Sequence, residues 1–225
     1  ITNKPNRNLI INGAMQVAQR GTSSTSTGYQ TVDRFVLNYD NISNSPTQAQ
    51  VDVASGTGPY TSGFRKAFKI TNGDQTIGAD DRLRLQYKVE AQDIANSGWN
   101  STSSFVTLSF WIKSSVAQNF FVRFQTQDGT SQNYVVETGS LTADTWTKIT
   151  KTISGDSNLQ FDNNNGEGLL IDFGPFYGTN FTGTRPLNAW AAYDGATRFP
   201  DFTTTWFDTN DSTLELTGVQ LEVGS

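Results

Sequence analysis

Aromatic side chains are the residues of this sequence best suited to bind a ligand directly. A sugar ring is recognised by a flat aromatic face against its apolar side, with amides and carboxylates that hydrogen-bond its hydroxyls. Packing or a subunit interface competes with this role for every ring. Trp111 and Trp146 lie in strong strand contexts, where we expect core packing. The predicted platforms, at loop-like or strand-edge positions or in the aromatic stretch described next, are Trp99, Tyr134, Tyr177, Trp190, Tyr193 and Trp206.

Residues 175–207 form a long irregular stretch in which aromatic residues alternate with glycines and polar residues. Its rings are Phe176, Tyr177, Phe181, Trp190, Tyr193, Phe199, Phe202, Trp206 and Phe207. Such a stretch is more often a binding loop or an interface than a disordered tail. We therefore expect the ligand or partner surface here first, and the alternative is an internal flap that closes one end of the domain.

Metal binding would have to use oxygen ligands, because the chain contains 0 His and 0 Cys. This restricts the choice to calcium or magnesium. Two Asn/Asp-rich loops are candidates for structural calcium, although neither has the EF-hand spacing and most such loops are simple turns. The candidate ligands are Asp162, Asn164 and Glu167 in one loop, and Asp208, Asn210 and Asp211 in the other. No other cofactor is expected.

The same absence of His and Cys argues against catalysis. It removes the Ser/His/Asp arrangement, cysteine nucleophiles and disulfides. A glycosidase needs two carboxylates at a cleft, and the 21 acidic residues leave that open. The adjacent Asp80 and Asp81 fit a turn better than such a pair. Neither a phosphate-binding glycine loop nor a nucleophile elbow is present, so we expect no enzyme.

Charge and hydropathy exclude two further classes of partner. Sixteen basic residues against 21 acidic ones leave a net charge of -5, and no stretch gathers Lys and Arg, so nucleic-acid binding is not expected. No long apolar run and no basic-then-apolar leader occurs, so we expect neither membrane insertion nor a signal peptide.

Strand signals separated by turn residues recur along the chain. In residues 82–90, every second side chain is apolar, which is typical of a half-buried antiparallel strand. Residues 105–112 are apolar at nearly every position and predict a strand covered on both faces. Further strands are predicted at 119–126, 147–153, 168–173 and 213–223, weaker ones at 34–39, 48–54 and 64–70, and one helical turn at 93–97.

This pattern predicts an all-β chain, an antiparallel two-sheet β-sandwich of the jelly-roll type. Residues 1–30, an apolar segment followed by a polar loop, are expected to belong to the same domain as the sandwich at 31–225. The polar loop is a solvated linker or a surface loop ordered by a neighbouring subunit. Near the end of the chain, the alternation shifts by one residue at Thr217-Gly218, which predicts a β-bulge.

Segments at both ends of the chain resemble a family of bacteriophage virion appendage proteins. Residues 8–21 read NLIINGAMQVAQRG and residues 216–225 read LTGVQLEVGS. Between them, residues 32–35 (VDRF), 108–114 (LSFWIKS), 145–148 (TWTK) and 188–190 (NAW) match the family pattern in order. Similar proteins often continue past the Gly-Ser at which this sequence stops.

The resemblance implies a jelly-roll module akin to carbohydrate-binding modules, on the exterior of a phage particle. The implied partners are further copies of the chain, with a trimer favoured, other virion proteins, and host-surface polysaccharide. The family includes both tail-fibre proteins and head-decoration proteins. The resulting hypothesis is a non-enzymatic tail-fibre or appendage module; the alternatives are a capsid decoration protein that binds the shell rather than sugar, and a polysaccharide-degrading enzyme. Because the ends match best and the first and last strands of a jelly roll are commonly neighbours, we expect the two ends to pack together.

Overall fold

The computed structural model describes residues 8–224, which form an antiparallel two-sheet β-sandwich of the jelly-roll type. Its strands are β1 (Ser23–Ser24), β2 (Phe35–Asp40), β3 (Thr47–Asp52), β4 (Lys66–Thr71), β5 (Arg82–Glu90), β6 (Phe105–Ser114), β7 (Asn119–Thr126), β8 (Gln132–Ser140), β9 (Thr147–Ser154), β10 (Glu167–Tyr177), β11 (Trp190–Ala192) and β12 (Thr213–Val223). The helices are α1 (Gly58–Thr61), α2 (Ala91–Ala95), α3 (Thr205–Asp208) and a 3-10 helix (Thr179–Phe181). The predicted fold class is confirmed.

The strands divide equally between two sheets. Sheet A has the order β1-β3-β4-β12-β6-β9, and sheet B has the order β11-β8-β7-β10-β5-β2. One face of each sheet packs against the other sheet to form the core, and the opposite faces are called the outer faces below. Strand β5 shows the principle, since Leu83, Leu85 and Tyr87 are buried in the core while Lys88 is exposed on the outer side.

Several local predictions differ from the structure. Strands β1, β8 and β11 were not predicted, and β10 continues to Tyr177, into the stretch predicted as irregular. The helical turn expected at residues 93–97 is α2, which begins at Ala91 and ends at Ala95. Strand β6 is covered on one face rather than two: Val106, Leu108 and Phe110 are buried, whereas the alternate positions are half-buried or exposed.

The two ends of the chain pack together, as predicted. Asn8 forms an isolated β-bridge with Glu222, and the Leu9 amide donates to the Leu221 carbonyl at 2.8 Å. The register of β12 against β6 shifts between Thr217 and Gln220, which confirms the predicted bulge. The N-terminal segment is therefore anchored along the last strand.

One main hydrophobic cluster fills the space between the sheets. Leu9, Ile10 and Met15 from the N-terminal segment belong to it together with side chains of both sheets. Residues 1–7 of the predicted N-terminal segment, and Ser225 at the end of the predicted sandwich, lie outside the described residues. Within residues 8–224, no helix combines the length and the apolar character needed to cross a membrane.

Replacing Gly13 by alanine should destabilise the protein at the junction of the two chain ends. A Cβ there would lie 1.9 Å from the Val219 carbonyl oxygen, so the backbone must shift, at an expected cost of about 2 kcal/mol in the free energy of unfolding. Urea denaturation measures this. Gly195→Ala is the control, because its nearest neighbour would be at 3.7 Å and the change should stay within about 0.5 kcal/mol. Equal stability of the two variants would contradict the packing of the ends.

Candidate functional site

Two of the predicted platform rings are in the core. Trp99 and Trp206 are both 0% exposed. Their indole N–H groups donate to the carbonyls of Ile153 at 3.1 Å and Thr213 at 3.0 Å. Neither ring offers a face to a ligand, because the loops that carry them fold over the core and bury these large apolar side chains.

The other four predicted rings also pack against protein. Tyr134 and Tyr177 are buried, while Trp190 and Tyr193 are half-buried. The ring of Trp190 lies 5.1 Å from that of Trp99 and 5.1 Å from that of Tyr134. Its indole N–H donates to the Ser154 carbonyl at 2.9 Å. Trp190 therefore closes the edge of the core more than it presents a surface.

Residues 178–204, called the flap below, cover much of the outer face of sheet B. The flap pairs with β8 through β11. Its Phe199 is fully buried in a second cluster with Phe121 and Tyr177 of sheet B. The aromatic stretch predicted as the ligand surface thus turns many of its rings inward. It corresponds to the internal flap of the alternative interpretation, except that it covers a sheet face rather than an end of the sandwich.

A buried polar network lies under the flap. Arg123 is 2% exposed, Asp172 is 0% exposed, and their side chains form an ion pair at 3.2 Å. The Asp172 carboxylate also accepts hydrogen bonds from Tyr177 and, at 3.0 Å, from the side-chain amide of Gln86. Burial, followed by the charge of Asp172, raises the pKa of Tyr177 well above its ordinary value. The tyrosine therefore remains a neutral donor, and the network holds the flap side of sheet B in one arrangement.

The outer face of sheet A carries an open cleft of about 320 Å³, called the sheet A cleft. Its lining residues are Val51, Asp52, Ala54, Thr57, Lys69, Lys113, Asp144, Trp146 and Glu215. Glu215 of β12 lies between Lys69 of β4 and Lys113 of β6 in the register of the sheet. Lys113 pairs with Glu215 at 3.0 Å and lies 5.3 Å from the centre of the Trp146 ring. A half-buried aromatic ring thus stands beside charged hydrogen-bonding groups.

Trp146 and Trp111 were predicted in the core, and the structure places both half-buried outside it. In β6, Phe110 and Ile112 face the core, so the alternation of a strand directs Trp111 to the outer face. Its ring packs over Gly58 of α1, where a Cβ would be 2.6 Å away. The same alternation places Lys113 beside Trp111. The alternation of residues along β6 was visible in the sequence, and it identifies the outer face of sheet A, which carries the cleft.

A second cleft, of about 420 Å³ and called the N-terminal cleft, lies at one end of the sandwich. Its lining residues are Ile11, Asn12, Val17, Gln19, Arg20, Tyr29, Asp33 and Arg34. The Asn12 side chain organises it by donating to the carbonyls of Val17 and Asp33, both at 2.9 Å. Three of the lining residues, Ile11, Val17 and Tyr29, are apolar or aromatic and exposed.

The sandwich is shared with proteins of unrelated sequence. A domain of tailspike protein 4 of bacteriophage CBA120, described as enzymatically active, matches over 97% of this chain at 8% identity with a TM-score of 0.50. The two chains share a fold. This chain spans 22% of the length of that tailspike chain.

Two further structures are similar at lower scores. A carbohydrate-binding module, CBM4, matches over 95% of this chain and 99% of its own length at 12% identity, with a TM-score of 0.44. A protein of Bacteroides thetaiotaomicron described as a candidate sugar-binding protein matches over 96% and 99% at 11% identity, with a TM-score of 0.49. No protein-family model matches the sequence, and no curated protein matches it.

The two loops predicted to bind calcium use several of their oxygens internally. Asn164 accepts the Gly166 amide at 2.7 Å, Glu167 pairs with Lys88 at 2.6 Å, and Asp208 accepts the Thr204 hydroxyl at 3.2 Å. Within residues 8–224, no group of three or more His, Cys, Asp and Glu side chains is placed to hold a metal ion. Calcium at either loop, where Asn oxygens would have to contribute, stays a prediction.

Replacing Arg123 by methionine should weaken the fold strongly, because it leaves the Asp172 carboxylate buried without its cation. We expect a loss of about 3 to 5 kcal/mol in the free energy of unfolding. The matched control is Lys88→Met, which breaks an ion pair whose lysine side chain is 48% exposed and should cost less than about 1 kcal/mol. Chemical denaturation followed by tryptophan fluorescence compares the two. A small effect of Arg123→Met would show that the flap does not seal the network.

Proposed function

We propose that this chain is a non-catalytic structural protein of a phage virion, a tail-fibre or other appendage module, which assembles as a homo-oligomer and binds host-surface glycan in the sheet A cleft. The observation that carries the glycan part is the half-buried Trp146 ring, which lines an open cleft together with Lys69, Lys113 and Glu215.

The chemistry of the cleft suits a sugar. An aromatic ring can cover the apolar face of a pyranose, while lysine ammonium groups donate to its hydroxyls and carboxylates accept from them. Lys113 and Glu215 hold each other at 3.0 Å, so their orientation exists before the ligand arrives. Binding to such a preorganised set costs little conformational entropy.

The same pairing argues against hydrolysis in this cleft. Glu215 is engaged by one lysine and lies opposite a second in the register of sheet A. A glycosidase requires a carboxyl group that is free to act as the general acid, whereas the Glu215 carboxylate is occupied in an ion pair with Lys113. With no histidine in the sequence as a substitute, recognition without catalysis fits the cleft best.

The virion part of the proposal rests on the sequence resemblance of the chain ends to phage appendage proteins, and a phage tailspike contains a domain of the same fold. Oligomerisation would serve such a protein because several weak sugar sites on one particle act together by avidity. Its other partners would be neighbouring virion proteins, and structural calcium in one of the two acidic loops would stabilise the exterior of the module.

The Trp146→Ala variant should lose glycan binding. Removing the ring removes the stacking surface, and we expect affinity to fall at least about tenfold, equivalent to about 1.4 kcal/mol. A bacterial-polysaccharide array identifies the ligand, and affinity electrophoresis with that ligand measures the change. Phe105→Ala is the control, because this ring is 39% exposed and does not line the cleft. Unchanged binding by Trp146→Ala, or no binding by the wild type, would remove the glycan role.

Gold-labelled antibodies against the chain should bind to the tail or its appendages in electron micrographs of the particle. Labelling spread over the head would instead favour the capsid decoration protein. Depolymerisation of the bound polysaccharide by purified protein, abolished by Glu215→Gln, would overturn the non-catalytic assignment.

A further inference from the structure

Large exposed apolar side chains of residues 8–224 are concentrated at the N-terminal cleft. The exposed set is Ile11 (53%), Val17 (43%), Tyr29 (38%), Ile77 (41%) and Phe105 (39%). Three of these five, Ile11, Val17 and Tyr29, line that cleft. Arg20 and Arg34 also line this cleft, together with one acidic residue, Asp33, which pairs with Arg20 at 3.6 Å. Tyr and Arg around an apolar centre are the residues enriched in protein interfaces.

Hydrogen bonds hold this apolar surface in place. The Ile11 amide donates to the Tyr87 hydroxyl at 2.7 Å, and the Val17 amide donates to the Asn12 side chain at 3.0 Å. Asn12 takes a positive φ of 60° and Arg34 one of 74°, conformations that an L side chain adopts at a cost. The exposure of Ile11 and Val17 is therefore imposed by a fixed backbone, and the surface is preorganised.

A surface with complementary properties lies on the loop of residues 72–81 between β4 and β5. Ile77 is 41% exposed at the edge of a depression that Phe176 and Phe202 also line. The exposed Asp74 and Asp80 lie three residues away on either side of it in the sequence. The loop is ordered, because the Gln75 side chain is 7% exposed and donates to the Asn44 carbonyl at 2.7 Å. An exposed apolar side chain, that of Ile77, thus lies between two exposed carboxylates in the sequence. We call residues 72–81 the Ile77 loop.

The Ile77 loop and the N-terminal cleft lie at opposite ends of the same strand. The loop leads directly into β5 at Arg82. At the other end of β5, Lys88, Val89 and Glu90 line a depression together with Tyr29 and Arg34 of the cleft region. A strand rises about 3.3 Å per residue, so about 23 Å separates Arg82 from Val89. The two surfaces cannot meet within one molecule.

We propose that the Ile77 loop of one copy of this chain docks into the N-terminal cleft of a second copy. Ile77 fills the apolar centre formed by Ile11, Val17 and Tyr29, while Asp74 and Asp80 meet Arg20 and Arg34 at the rim. The contact is head-to-tail, so each copy keeps one free cleft and one free loop. Head-to-tail contacts build a closed ring when the rotation that relates neighbouring copies returns to the first copy after a whole number of steps. The inference deepens the homo-oligomeric part of the proposed function and is independent of glycan binding.

Two single variants and their mixture test the contact by sedimentation velocity. Ile11→Asp places a carboxylate in the cleft that repels Asp74 and Asp80, and Ile77→Lys places an ammonium on the loop that repels Arg20 and Arg34. We expect wild type to associate and each variant alone to sediment as a monomer. Their equimolar mixture should associate again, because it contains one intact cleft and one intact loop, and because the introduced carboxylate and ammonium attract each other. Phe105→Lys, at an exposed apolar position that lines neither surface, should assemble as wild type.

The outcomes separate this interface from the broader proposal. A wild type that associates while both variants associate equally overturns the interface and leaves the homo-oligomer standing. A monomeric wild type at every concentration overturns both. Monomeric variants that keep the circular dichroism spectrum of the wild type but fail to pair in the mixture contradict a head-to-tail contact, since a symmetric interface would behave in that way. None of these results affects the Trp146 measurement, which reports on the other cleft.

Discussion

The last strand of the chain occupies the middle of sheet A, and both halves of that sheet depend on it. β12 pairs with β4 on one side and with β6 on the other, and its amide at Leu221 also bonds Asn8, 213 positions away in sequence. The bulge that keeps both halves of β12 on the core needs Gly218, whose φ is 63° and where a Cβ would lie 2.6 Å from the Phe64 ring. Sheet A therefore forms only when distant parts of the chain have met, which makes folding slow and cooperative.

The two sheets use their outer faces differently, and this difference decides where ligands can bind. The flap covers sheet B, where Arg123 and Asp172 are buried beneath aromatic rings. On the outer face of sheet A, the short helix α1 packs against Trp111, and Trp146 and its charged neighbours line an open cleft. The aromatic rings that pack the flap onto sheet B are buried and therefore cannot contact a ligand. In the proposed function, the half-buried Trp146 on this more open sheet is the contact for a sugar.

The same architecture separates recognition from assembly. The N-terminal cleft and the Ile77 loop lie at the two ends of β5, whereas the sheet A cleft lies on a sheet face between the ends. Copies joined end to end would leave that face uncovered. Sugar sites could then be repeated on one particle without competition from the subunit contact, which is the geometry that avidity requires.

The sequence by itself determined the fold class, the main strands and the bulge in β12, because alternation and turn residues are local signals that a sandwich must obey. The pairing of the chain ends was expected from the resemblance of both ends to one family and from the usual position of the first and last strands in a jelly roll. The sequence also contained the outward direction of Trp111, although a run of apolar residues concealed it. Only the tertiary structure decided which rings are exposed: Trp99, in a turn, and Trp206, in α3, are fully buried, while Trp146, predicted in the core, lines a cleft. Burial depends on what lies across from a side chain. In the flap, in β8 and in both clefts, the residues that pack against each side chain come from distant parts of the chain. A local sequence pattern contains no information about them.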